Sequence, residues 1–370
     1  MKALNPSRIE FARIRRKWTK AKLATELGVD VRSVQGYEAG EYTPEVDRLQ
    51  LIADKLRFPL SFFYGDDLPV IAEHTASFRS MSKMSVSLMQ SALSSGAIAF
   101  LVNEWIATKF TLPAVNVPNL HDLSPEDAAA SLRRIWGLGE APIPNMIHLL
   151  ESKGIKVFSL AIEAKEVDAF SVWHREHPFI FLNTQKSAER SRFDAAHELG
   201  HLVRDSYSML HGEAAHNPEM EKAANTFAAA FLMPRNSVIA YKPTISDLDQ
   251  LIQLKAIWGV SLAALVNRMN QLGLLSEWRH RNLCIQIAKF GYRTTEPSPM
   301  RQETSKMLAK VFEMLKEENV SRADVARELS LLQEDIDMLT FGLILTNVST
   351  NNNISNAKRV KPTNALKLVK

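Results

Sequence analysis

The chain is predicted to be multidomain, mainly α-helical, with one small β-sheet. Three observations predict this. Residues 7–67 form short segments with apolar positions at helical spacing, punctuated by Thr19, Gly28, Asp30 and Gly40. Three short β-prone runs, 154–160, 169–173 and 179–183, stand directly ahead of a Pro-free helical stretch from Ser187 to Arg204. Residues 300–345 return to helical patterning. The expected organisation is an all-α module over residues 1–68, a helical connector over 69–122, an α+β domain over 123–275, a helical C-terminal region over 276–345 and a disordered basic tail over 346–370.

In the N-terminal module the first helix covers Ser7–Arg16. Thr19 caps a second, Lys20–Leu27, which stops at Gly28. Asp30 caps a third, Val31–Tyr37, ended by Ala39 and Gly40. A fourth, Pro44–Leu56, begins with Pro in its first turn, and Pro59–Tyr64 follows. Leu23, Leu27, Val34, Leu49, Ile52 and Leu56 supply one core. Two helices joined by a tight Gly-containing turn make a helix-turn-helix layout. The first sixty residues hold twelve Lys and Arg against eight Asp and Glu, so they carry the whole formal net charge of +4. A basic module on a neutral body suits a polyanionic partner.

The run Thr19–Gly40, followed by Pro44 and Leu49-Gln-Leu-Ile-Ala-Asp-Lys-Leu56, resembles the XRE-type helix-turn-helix of phage and bacterial repressors. The resemblance implies double-stranded DNA as the partner of residues 1–68, with the third helix in the major groove. Arg32 keeps a base-reading side chain, with Ser33 and Gln35 beside it. Lys20, Lys22 and Arg15 suit phosphates. The sequence departs from the family at Lys20, where Gln is frequent, and at Val31 and Gly36, base-reading positions that offer no polar side chain. The other reading is a dimerisation or partner-docking module, and a homodimer is compatible with either.

Residues 69–122 carry Pro69, Pro113 and Pro118 around a helical stretch near Ser91–Phe110, read as a connector with a packing helix. Ser124 caps a helix running toward Gly137-Leu-Gly139, and Pro142–Gly154 forms another. The three β-prone runs then make a small sheet. An exposed edge of it could take an extended peptide by strand addition.

The next helix carries His197-Glu198-Leu199-Gly200-His201. Positions i and i+4 share a helix face, so both imidazoles can reach one metal ion. Glu198 sits beside that face, within reach of a metal-bound water. A catalytic zinc keeps three protein ligands and one open position. Of His211, Glu213, His216, Glu219 and Glu221, the best third ligand is Glu221, which opens a helical stretch ended by Pro234. Asn225 lies one turn on, placed to accept a hydrogen bond from the distal nitrogen of a ligating His. Zinc lowers the pKa of its water to about 7, so Glu198 can take the proton and pass it to a leaving amine. The donor to the oxyanion stays open among Tyr207, His211 and His216.

The stretch from Arg133 to Leu275 resembles the ImmA/IrrE-type zinc metallopeptidases. The matching pieces are Arg133–Gly139, Pro142–Gly154, Asp168-Ala-Phe, Asn183, Arg190–His201, Glu221–Pro234, Trp258–Arg268 and Leu272–Leu275. The resemblance implies a zincin-like (gluzincin) α+β domain with one Zn2+ per chain, bound by His197, His201 and Glu221, and Glu198 as base. Many relatives carry another acidic residue where Ala223 stands, which favours Glu221. Family members cleave XRE-type repressors, and Gly291–Pro297 also occurs in fused relatives.

Val320–Leu339 has a helix-turn-helix flavour and is read as helical packing. After Thr346 the chain turns Asn/Ser-rich and then basic. Cys284 is the only cysteine, which suits a reducing compartment. No apolar run reaches about 18 residues, so a cytoplasmic protein without a membrane partner is expected. The functional expectation is a DNA-binding transcriptional regulator with zinc-dependent endopeptidase activity, cleaving a repressor-like or antitoxin-like protein in a stress or mobile-element response. The alternative is a repressor or antitoxin of a toxin–antitoxin-like pair, whose peptidase fold acts as a sensor or cuts its own chain between the modules.

Overall fold

A computed structural model describes residues 3–72, 77–78, 85–160, 169–205, 218–241, 247–341 and 367–368. The N-terminal helices are α1 (Pro6–Arg15), α2 (Lys20–Leu27), α3 (Val31–Ala39) and α4 (Val46–Leu56), followed by a 3-10 turn at Leu60–Tyr64. Thr19 and Asp30 accept hydrogen bonds from the first turns of α2 and α3. Gly28 and Gly40 close those helices in the left-handed conformation. Helix α4 starts later than Pro44, because Glu45 is extended at its N-cap.

The stretch expected as a packing helix is longer and more central than its sequence suggests. α5 (Val86–Lys109) is capped by Ser85 and buried along most of its length. Among the described residues it is the one helix long and apolar enough to cross a membrane, and its apolar positions are mostly buried inside the protein. Phe100 of α5 stacks on His174 and meets Phe179 edge-on. Ser91 donates to the carbonyl of Arg15 at 3.0 Å.

The sheet holds β1 (Ser77–Phe78), β3 (Lys156–Ser159), β4 (Ala169–His174) and β5 (His177–Leu182), in the order β1-β4-β5-β3. β4 and β5 form a hairpin whose turn residues, Arg175 and Glu176, both take positive φ, as a two-residue turn requires. β3 runs parallel to β5. The outer strands are β3 and the two-residue β1. Ser159 of β3 donates to the carbonyl of Met338. β1 pairs with β4. β2 (Phe110–Thr111) pairs with β6 (Lys367–Leu368), so these two residues of the expected disordered tail are strand-paired. The other residues of 346–370 lie outside the described ones.

Both faces of the sheet are covered by apolar cores. Val157, Ala169, Ile180 and Leu182 face α6 (Pro125–Ile135), α7 (Met146–Ser152), α8 (Ala188–Arg204) and α9 (Pro218–Leu232). The helix expected over Pro142–Gly154 forms only from Met146, where Asn145 caps it. The same core takes in α10 (Arg235–Ala240), α11 (Leu248–Trp258), α12 (Leu262–Gln271) and α13 (Glu277–Lys289). Phe158, Phe170, Phe179 and Phe181 line the other core. That core joins α5, the N-terminal module and α14 (Lys306–Glu317), α15 (Arg322–Glu328) and α16 (Gln333–Leu339). Of the region expected as a separate C-terminal unit, α14–α16 therefore share a core with the N-terminal module, while α13 joins the core of the metal helices.

Ion pairs reinforce that junction. Arg15 and Arg16 approach Asp335 of α16 at 3.7 and 3.8 Å, and Arg57 meets Glu334 at 2.6 Å. Arg15, expected on a phosphate-facing surface, is instead buried, because its face of α1 packs inward toward α5 and α16. Burial pulls its guanidinium down to about 10 against the opposing pull of Asp335. Removing Asp335 leaves two cations without their counter-charge in a desolvated place. Asp335→Ala is expected to lower stability by about 1–3 kcal/mol, less than a hydrogen-bonded buried pair would give. Urea denaturation measures it, and an unchanged midpoint would show that the pair does not hold the module in place.

Candidate metal centre

Helix α8 starts at Ser187, whose hydroxyl caps the backbone NH of Arg190. Its apolar side faces the sheet and α9. Gly200 sits at the crossing with α9: a Cβ there would lie 3.0 Å from the Phe227 ring. The missing side chain lets the two helices approach closely, which brings Glu221 of α9 to the histidine face of α8.

The structure gathers His197, His201 and Glu221. Nε2 of His197 and Nε2 of His201 are 3.1 Å apart. Each lies 3.3 Å from a carboxylate oxygen of Glu221. Bonds of about 2.0–2.1 Å to a tetrahedral zinc put neighbouring ligand atoms about 3.3–3.4 Å apart. The three donors therefore have the spacing and the chemistry of a zinc face. Both histidines are buried and Glu221 nearly so.

The surrounding groups hold this face in place. His201 Nδ1 lies 2.6 Å from Asp205 Oδ2, a pairing that fixes the ring and leaves Nε2 for the metal. The sequence reading missed Asp205, although it stands one turn after His201 on the same face. From the sequence, the candidate for that orienting role is Asn225. Its Nδ2 donates to the backbone carbonyl of Glu221 at 2.8 Å, one turn back on the same helix. Glu198 is fully buried, and its Oε2 accepts a 2.7 Å hydrogen bond from Ser171 of β4. Its Oε1 has no hydrogen-bond partner among the described residues. Ser171 was not legible either, since a serine in a strand carries no mark of its partner. Tyr207, His211 and His216, the candidate oxyanion donors, lie outside the described residues.

Charges in the site are strongly displaced. Burial pushes the Glu198 carboxyl up to about 8, against the opposing effects of His201 and Ser171. Burial alone would lower His201, but its hydrogen bonds to Asp205 and Glu221 win and raise it to about 10. Burial would raise Glu221, but the two imidazoles hold it far below the usual carboxylate range. A dication bound here would stabilise the anionic carboxylates and displace the imidazole proton.

Residues 150–270 match the family model of the IrrE N-terminal-like domain of peptidase M78, a span that includes β3, β4, β5, α8 and Glu221. Residues 9–63 match that of a helix-turn-helix domain. The chain thus carries an XRE-type helix-turn-helix domain over residues 9–63 and an IrrE/ImmA-like peptidase M78 domain over residues 150–270. The curated proteins give no match to it.

In the helix-turn-helix domain of this fusion, Arg32 and Gln35 are exposed on α3 and Ser33 is half-buried. Lys22 is exposed, with its ammonium over the Trp18 ring. Lys20 is half-buried and 3.3 Å from Glu38, which also takes a two-pronged contact from Arg13. That pairing reduces what Lys20 offers a phosphate. Gly36 is buried under Tyr42, whose ring lies 2.2 Å from where a Cβ would stand and whose hydroxyl donates to the Arg32 carbonyl. Tyr42 thus fills the gap that Gly36 leaves on the recognition helix, a placement invisible to helix-by-helix reading.

Two outcomes are expected at the metal centre. Asp205→Ala should weaken zinc binding about 10–100-fold. In the metal-free chain His201 is protonated at neutral pH, and zinc must displace that proton. Zinc affinity should therefore fall about tenfold for each pH unit lowered through neutrality, with matching proton release into the buffer. Chelator competition at several pH values checks both. A pH-independent affinity would mean that His201 is already neutral.

Proposed function

We propose that the protein is a cytoplasmic DNA-binding regulator and a zinc-dependent endopeptidase that cleaves a repressor-like or antitoxin-like protein in a stress or mobile-element response. The observation that carries this reading is the buried triangle of His197, His201 and Glu221 with Glu198 beside it. A site meant only to hold a metal for structure has no use for a base carboxylate placed next to an incomplete ligand set.

Zinc in this position would acidify a bound water and polarise a peptide carbonyl. Glu198 takes the proton of the attacking water. Ser171 ties Oε2 in place, which leaves Oε1 to carry that proton to the leaving amine nitrogen. Asp205 keeps the His201 ring in one orientation throughout. The body around the site excludes bulk water, which strengthens each of these charge interactions.

The identity of the substrate rests on the resemblance to ImmA/IrrE enzymes and on the repressor-like domain in the same chain. The exposed Arg32 and Gln35 on α3 support double-stranded DNA as a second partner. Under this reading each chain holds one zinc. Glu198→Gln should keep that zinc and lower cleavage of a purified repressor-like or antitoxin-like protein by at least about 100-fold. Zinc content and gel-resolved cleavage, measured on the same samples, test it. A chain with all three ligands intact that takes up no zinc would falsify the reading.

A further inference from the structure

The geometry points to the segment Ser77–Phe78 as an internal occupant of the outer edge of β4, the edge on which an extended peptide substrate would pair. This rests on the peptidase reading above and adds what occupies the edge. β4 has β5 on one side and β1 on the other. β1 runs antiparallel, with Ser77 opposite Ser171 and Phe78 opposite Phe170. Ser171 is the residue whose hydroxyl binds the Glu198 carboxylate. Backbone paired to β4 at this register therefore passes beside the base. A peptide to be cut must bring a carbonyl to the same place, and strand addition supplies donors and acceptors at the spacing needed. The chain's own backbone already stands there.

A second observation concerns how the segment arrives. Asn5 and Ser7 of the helix-turn-helix domain bind Asp67, and Arg8 holds the Asp66 carbonyl. Ile71 is then buried against α5 at Gly96, where an added Cβ would lie 2.7 Å from the Ile71 methyl and 3.4 Å from the Phe170 and Phe181 rings. Glycine inside a helix is unfavourable, and here it makes the room that seats Ile71 beside β4. Downstream, Ser85 fixes the chain again as the cap of α5. The occupant of the edge is thus tethered to the DNA-binding domain at one end and to the central helix at the other.

Tethering gives such a segment an effective concentration on the order of millimolar, although it pairs over only two residues. A substrate that pairs along more of Ala169–His174 can displace it, and a shorter one cannot. The edge therefore selects long extended segments, and anything that pulls on residues 66–72 from the helix-turn-helix side changes its availability.

The test uses the zinc-loaded full chain carrying Glu198→Gln, so that no peptide is cut. The probe is a fluorescent synthetic peptide with the sequence of residues 70–85. Ser77→Pro with Phe78→Pro removes two backbone donors and breaks the pairing. The Pro variant is expected to bind the probe at least tenfold more tightly than its parent. Those of its β4 amides over 169–173 that point away from β5 should exchange at least tenfold faster without the probe and slow again with it. In the parent, saturating probe should speed exchange at residues 77–78, a measurement that needs no Pro substitution. Equal binding and equal exchange in the two chains, or no binding to either, overturns the inference. Zinc content separates the two failures: one zinc with unchanged probe binding sinks only the self-occupied edge, whereas no zinc in the parent sinks the peptidase reading beneath it.

Discussion

Four ionisable side chains, His197, Glu198, His201 and Glu221, meet where α8 crosses α9, almost out of reach of water. Burying such groups costs several kcal/mol each unless opposite charge and hydrogen bonds compensate. The neighbourhood shows how the chain meets that cost: Asp205 on His201, Ser171 on Glu198, Glu221 across both imidazoles. A dication at the centre would complete the compensation, because it would stabilise the carboxylates in the form the ligand set needs. Gly200 at the helix crossing and the sheet beneath α8 are the packing terms that keep the four groups together.

The second organising fact is that the sheet is covered on both faces. One core belongs to the metal helices. The other carries α5, the helix-turn-helix domain and the last helices. The sheet is therefore the partition between the helix-turn-helix side and the side of the candidate metal centre, and β4 belongs to both: Phe170 faces the α5 core while Ser171 reaches Glu198. Phe100 of α5 packs against Phe181, which stacks on Phe170, so α5 and the residue before Ser171 belong to one continuous packing chain. Such packed contacts transmit strain because protein interiors are dense.

Much of this was legible in the sequence, and the parts that were not share a cause. The pair of imidazoles at helical spacing and the carboxylate that opens the next apolar helix are defined by residue type and local period. So are the caps Thr19, Asp30 and Ser124, which the structure uses as expected. Asp205 was within reach of the same periodicity, but an acidic residue near a helix end reads as a solvated terminus. Ser171, Tyr42 and Asp335 act through partners distant in sequence, and a single chain's pattern holds no trace of such pairings. α5 was underestimated for another reason: a helix that is apolar all round has no amphipathic stripe to show what it packs against. Arg15 misled in the opposite sense, since a basic residue on a helix looks solvated until its buried acid is found.

The most direct measurement is X-ray absorption at the zinc edge of the full-length protein. Two imidazole nitrogens and carboxylate or water oxygens at about 2.0–2.2 Å, with no sulfur, are predicted. A sulfur neighbour, a third imidazole or a single imidazole would contradict the assignment of His197, His201 and Glu221 as the protein's zinc ligands.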